Sequence, residues 1–180
     1  MIHAVTDGSG LPKTIQEAIK SIFPVVDAVC LREKQLSVKE LSIKVADLIN
    51  QGVPPQKLLL HSAPELAQFL PVLGVHFTEF DERLAPFKKA HSEKLAGRSV
   101  HSVASAQKAE ADGADYLYFG HVFATTSKKG LPGRGLDALS DVARSVSIPV
   151  IAIGGICDEN IPSVRQAGAS GVAMISAFFN

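Results

Sequence analysis

The sequence predicts an α/β chain folded as a compact (β/α)8 TIM barrel, and three observations carry that expectation. Short apolar runs rich in β-branched residues alternate with amphipathic helical stretches, the pattern of parallel βαβ units. The alternation continues until eight strands are counted. The crossovers between them are short, which favours closure over the alternative of a doubly wound sheet with fewer strands.

The elements follow in order along the chain. Ile2–Thr6 reads as the first strand, with a helix from about Pro12 to Phe23. Val25–Leu31 is strand two. Ser37–Gln51 is a helix with Leu41, Val45, Leu48 and Ile49 on one stripe, stopped by Gly52. Lys57–His61 is strand three, and a short helix around Pro64–Leu70 leads to strand four at Gly74–Thr78. The stretch Phe80–Lys94 is weakly patterned, a loop with one helical turn or two. Gly97–His101 is strand five, and Ser102 caps a helix reaching Asp112. Asp115–Phe119 is strand six, a helix spans Leu136 to Val146, and Pro149–Ile153 is strand seven. A helix over Asp158–Ala167 precedes strand eight, Gly171–Ile175. Only Ser176–Asn180 remain, so the eighth helix is expected to be missing, and the flank it would cover should be exposed. Without linker, repeat or low-complexity segment, the chain reads as a single domain.

Apolar residues make up 46% of the sequence and charged ones 20%, with 18 Lys+Arg against 18 Asp+Glu. That balance gives no basic field for nucleic acid or an anionic membrane, so anion selectivity has to be local. No run approaches ~18 apolar residues, which argues against a membrane span. The start lacks the pattern of a signal peptide, which points to the cytoplasm. Cys30 and Cys157 are the only cysteines, too few for a disulfide framework or a Cys-rich zinc site. The apolar Ala177-Phe178-Phe179 end suggests self-association, with a homodimer as the expected assembly.

In a barrel, residues at the C-terminal ends of the strands face the chemistry. After strand seven, Gly154-Gly155 should expose backbone N–H groups to an oxyanion, backed by the next helix. Ile175 and Ser176, at the end of strand eight, supply the matching half of a phosphate site. His121, directly after strand six, places an imidazole at the mouth, where it can move protons; His101 on strand five is its rival, while His3 and His76 read as structural. At the end of strand two, period-2 alternation puts Cys30, Arg32 and Lys34 on one side, with the two cations suited to a carboxylate or phosphate. The connection from Gly120 to Gly135 is long enough to be a lid over an anion and carries Thr125, Thr126, Ser127, Lys128, Lys129 and Arg134. Ser99, His101, Thr125 and Lys128 complete the candidate substrate contacts. No metal cluster stands out. A Mg²⁺ site needs convergent carboxylates; strand three ends in His61-Ser62, and only strand four offers any, Glu79 and Asp81.

These residues carry a resemblance to the thiamine-phosphate synthase superfamily, closest to its TenI branch, the thiazole tautomerases. The similarity runs from His3-Ala-Val-Thr-Asp7 through Leu31-Arg-Glu-Lys34 to the end of the chain. It is strongest over Gly97-Arg-Ser-Val-His-Ser102, Tyr118-Phe-Gly-His-Val-Phe123, Lys128-Lys-Gly-Leu-Pro-Gly-Arg-Gly135 and Ile148-Pro-Val-Ile-Ala-Ile-Gly-Gly-Ile156. Two positions favour the tautomerases: His121 stands where the synthases typically have Pro, and His61-Ser62 where they carry an Asn-Asp pair that helps bind Mg²⁺. Cys30 departs from the usual Gln. The resemblance implies a proton-shift aromatisation of a carboxylated dihydrothiazole phosphate, with no redox cofactor and no metal. His121 would be the base, Gly154, Gly155, Ile175 and Ser176 the phosphate site, and Arg32, with Lys34 beside it in the sequence motif, the carboxylate contact. The synthase reaction, a Mg²⁺-dependent coupling of a pyrimidine diphosphate to the thiazole, and a non-catalytic binding role on the same barrel are the alternatives.

Overall fold

The computed structural model describes residues 1–125 and 130–179. Eight parallel strands close on themselves in sequence order, with the last pairing with the first. They are β1 (Ile2–Val5), β2 (Ala28–Leu31), β3 (Leu58–His61), β4 (Gly74–Phe77), β5 (Leu95–Val100), β6 (Tyr116–Gly120), β7 (Val150–Ile153) and β8 (Gly171–Met174). The crossovers carry α1 (Lys13–Ile22), α2 (Val38–Asn50), α3 (Pro64–Ala67), α4 (Leu84–Ala90), α5 (Val103–Ala111), α6 (Gly135–Ser145) and α7 (Ile161–Gln166). The barrel prediction holds, and no helix among the described residues is long and apolar enough to cross a membrane.

Local chemistry explains the clearest boundaries. Ser37 opens α2 through a reciprocal box: its hydroxyl accepts from the Glu40 N–H, while the Glu40 carboxylate accepts from the Ser37 N–H at 2.9 Å. Ser102 caps α5 in the same way with Ser105. α7 starts at Ile161, later than expected, because Asp158–Asn160 form a turn and Pro162 then sits where its missing N–H costs nothing.

Strand alternation sorts side chains into two cores. Outward-facing Leu58, Leu60, Phe77, Leu117 and Phe119 pack with the helices and are fully buried. Inward-facing Val5, Cys30, Leu59, Tyr116, Tyr118 and Ile151 fill the barrel. On β5 the interior position is Gly97 because the Tyr116 ring occupies its side-chain space; a Cβ there would lie 2.0 Å from Cζ.

One expectation is corrected at the end of the chain. The N–H groups of Phe178 and Phe179 both donate to the Ile175 carbonyl, folding the segment back. Phe179 is 4% exposed and packs into the outer core. The apolar end invoked for a dimer is therefore largely used within the chain.

Candidate active site at the barrel mouth

The C-terminal ends of β6, β7 and β8 build one side of the mouth. Gly154 and Gly155 leave β7 with φ of +97° and +67°, a region side chains other than glycine enter at a cost. The missing side chains also make room for protein. A Cβ on Gly154 would lie 2.4 Å from His121 Cβ, and one on Gly155 would lie 2.6 Å from the Ala124 carbonyl. The Val122 and Phe123 N–H groups donate to Ile153 and Gly154, locking the two turns together at 3.0 Å. Asn160 fixes the far side, donating to the Gly155 carbonyl at 2.9 Å and accepting from the Cys157 N–H at 3.0 Å. The N–H groups of Gly154, Gly155 and Ser176 have no hydrogen-bond partner among the described residues. Ser176 is exposed and Ile175 half-buried. Because α7 has only six residues and begins beyond a turn, the expected helix dipole directly behind the glycines is not present.

His121 is half-buried beside Gly154, and its Nε2 lies 3.3 Å from the Leu131 carbonyl. Arg134 straps the returning end of the loop. Its backbone N–H donates to His121, its Nε to Gly120 at 3.1 Å, and its Nη1 to His101 at 3.2 Å. The lid-type anion contact expected of this arginine is thus replaced by a structural one. Thr125 is half-buried, while Thr126, Ser127, Lys128 and Lys129 lie outside the described residues.

The opposite side is built from β2, β3 and β4. Arg32 is half-buried, its backbone N–H donating to the Thr6 hydroxyl at 2.8 Å, and Lys34 is exposed. Glu33 between them turns inward, where its carboxylate accepts from the Gly10 N–H at 2.7 Å; its other oxygen is buried without a partner among the described residues. Burial first, then the charges of Arg32 and Lys34, push the His61 imidazole down to about 4. Its Nδ1 lies 3.1 Å from the Ser62 hydroxyl.

The carboxylates of β4 are already engaged. Glu79 accepts from the His101 N–H at 3.1 Å and pairs with His101 Nδ1 at 2.8 Å. Burial raises its pKa, but the bonds from Ser105 and His101 outweigh this and leave it below the ordinary value. Asp81 takes two bonds from the Arg83 guanidinium, at 2.9 and 2.7 Å, and one from its backbone N–H. His101, the rival base, is accordingly the partner of a carboxylate.

Beneath the mouth lies a polar layer that sequence reasoning missed. Ser99 bonds His76 Nε2 at 2.9 Å, His76 Nδ1 meets the Tyr116 hydroxyl at 3.1 Å, and His3 Nδ1 meets the Tyr118 hydroxyl at 2.8 Å. His76 stacks on Tyr118 with ring centroids 4.0 Å apart. Burial pushes His76 well below and both tyrosines well above their ordinary values, so the layer is neutral. The available signal was period 2, which places Tyr116 and Tyr118 on the interior face.

A family model described as thiamine monophosphate synthase matches residues 2–178. The thiamine-phosphate synthase of Chloroflexus aurantiacus is 38% identical, covering 98% of this chain and 83% of that protein. That of Enterococcus faecalis is 36% identical over 91% and 77%. Among solved structures, thiamine phosphate pyrophosphorylase from Pyrococcus furiosus superposes with a TM-score of 0.78 at 29% identity, over 98% of this chain and 85% of that one. These names overturn the expected tautomerase and its isomerase chemistry, which rested on two positions, His121 and His61-Ser62, against similarity running nearly the full length. The chain belongs to the thiamine monophosphate synthase family.

Proposed function

We propose that this protein is a thiamine-phosphate synthase, joining the pyrimidine of a pyrimidine diphosphate to a thiazole phosphate at the barrel mouth, with the carbon–oxygen bond to the diphosphate broken and diphosphate released. The relatives' names support the reaction. The observation that carries the binding mode is the set of amides at Gly154, Gly155 and Ser176 without a protein partner among the described residues, at the mouth end of β7 and β8, where a phosphate oxygen could accept from them. In this reading Ile175 and Ser176 complete the phosphate cradle and Arg32 and Lys34 line the rest of the mouth, with Ser99 held by His76 in the layer beneath it. Thr125 lies on the connection after β6, and Lys128 lies outside the described residues. His121 is a wall of the cradle, packed against the space a Gly154 side chain would take.

The Mg²⁺ associated with this reaction does not fit the carboxylates present. Glu79 is held by His101 and Asp81 by Arg83. Among the described residues no three His, Cys, Asp or Glu side chains are grouped to hold a metal. The same observation favours a second reading, a phosphorylated-ligand binder without transfer activity.

The test is to incubate folded protein with both substrates and Mg²⁺ and measure thiamine phosphate. Formation dependent on protein supports the synthase. Tight binding of the thiazole phosphate with no product would transfer the assignment to the binder.

A further inference from the structure

Tyr116, His76 and Ser99 form a hydrogen-bonded line that climbs the barrel interior toward the mouth. Strand register pairs His76 with Gly97 and Gly97 with Tyr116, so the imidazole and the phenol belong to one level. Ser99, two residues further along β5, lies one level nearer the mouth. His76 is 1% exposed and both of its ring nitrogens are engaged. Nε2 lies 2.9 Å from the Ser99 hydroxyl and Nδ1 lies 3.1 Å from the Tyr116 hydroxyl. Stacking on Tyr118, with ring centroids 4.0 Å apart, fixes the plane of the ring. Burial keeps the imidazole neutral at pH 7, and a neutral imidazole has one donor nitrogen and one acceptor. One of the two hydroxyls therefore gives its proton to His76 and the other receives one. A phenol is a stronger donor and a weaker acceptor than an aliphatic hydroxyl, because it is the more acidic of the two. Tyr116 is 4% exposed, so its proton needs a protein acceptor, whereas half-buried Ser99 can turn its own proton toward the mouth.

We infer that Tyr116 donates to His76 Nδ1 and His76 Nε2–H donates to Ser99, leaving the Ser99 hydroxyl proton for a ligand in the mouth. His76 and Tyr116 are then positioning residues, acting through Ser99 rather than on the ligand itself. Together they set Ser99 as a donor to an anionic oxygen. The opposite order, with Ser99 donating inward, would turn its lone pairs to the mouth and repel an anion. No proton changes owner in this arrangement; each group keeps its own and only the direction of the bonds is fixed. The effect on a ligand rests on the mouth being a phosphorylated-ligand site, as proposed above, while the direction of the bonds does not.

The test is the tautomer of His76 at pH 7, read by long-range proton–nitrogen correlation on the whole chain carrying isotope-labelled histidine. A proton on Nε2 with Nδ1 bare supports the inference; a proton on Nδ1 overturns it. The second arm is calorimetric titration with inorganic pyrophosphate in excess Mg²⁺. Ser99→Ala should weaken binding by about fivefold, the worth of one hydrogen bond. Tyr116→Phe, which keeps the ring and removes only the hydroxyl, should weaken it by about threefold. The double variant Ser99→Ala/Tyr116→Phe should bind no more weakly than Ser99→Ala alone, because Tyr116 acts through Ser99. Losses that multiply in the double variant would mean that Tyr116 acts through packing, and overturn its positioning role. Pyrophosphate that does not bind the wild-type protein refutes the phosphorylated-ligand reading, and the His76 tautomer then decides the inference by itself.

Discussion

The β7–β8 side of the mouth and the β2–β4 side are suited to anions by different means. The first offers backbone N–H groups on a glycine turn clamped against the β6 turn, so its geometry depends on packing. The second offers side-chain cations whose local carboxylates have been taken by Arg83 and His101. Steric changes should therefore disable the first half, while charge and pH should act on the second.

The largest expected effect breaks the backbone half. Gly154→Val places a branched side chain where His121 stands, at a φ that L residues rarely adopt. Overpacking and backbone strain together cost about 4 kcal/mol. Thermal melting should drop by roughly 8–16 °C, and phosphate binding should be lost because the β6 and β7 turns are forced apart. A variant with unchanged melting would show that the two turns are not clamped as described.

Next comes the support of the β4 side. Arg98 is 3% exposed, pairs with Asp112 at 2.6 Å and donates to the Asp81 carbonyl at 2.6 Å. Asp112→Ala would strand that buried guanidinium, at a cost of about 3 kcal/mol, read by denaturant unfolding. A loss below about 1 kcal/mol would mean that Arg98 finds water or another partner, and that the β4 turn is less dependent on it than the distances imply.

A pH series sharpens the contrast. Burial holds His3 at about 4, and burial with Arg32 and Lys34 holds His61 at about 4, against about 6.5 when unfolded. Both folded values are lowered, so between those limits the unfolded chain binds more protons. The stability they contribute is complete above about pH 6.5 and is lost as pH falls toward 4. Histidine NMR titration should find both imidazoles neutral at pH 6 in the folded protein; a value near 6.5 for His3 would contradict its burial beside Tyr118. The smallest effect is Ser176→Ala, which removes one exposed hydroxyl from the cradle and should weaken phosphate binding by about fivefold without changing melting.

The barrel was legible because each strand is an apolar, β-branched run closed by a turn, and because eight such runs leave little choice of topology. α4 was harder: Pro86 interrupts its pattern, and only Leu84 and Phe87 are buried to signal a helix face. At the site, Gly154-Gly155, Ser176, His121 and Arg32 could be picked from their positions at strand ends. Their partners could not. That Glu79 meets His101 across 22 residues, or that the side-chain space of Gly154 belongs to His121 rather than to a ligand, depends on strand register and the path of two turns. The interior tyrosines were similarly hidden, since an alternating Tyr-Leu-Tyr run fits an ordinary strand until the opposing histidines are placed.

The central claim is that the Gly154-Gly155 turn and Ser176 receive a phosphate through their backbone amides. Amide chemical shifts of isotope-labelled protein titrated with thiazole phosphate test it most directly. The account predicts large, saturable shifts at Gly154, Gly155 and Ser176, with smaller ones at His121. Saturable binding that leaves these amides unmoved while other regions respond would contradict it.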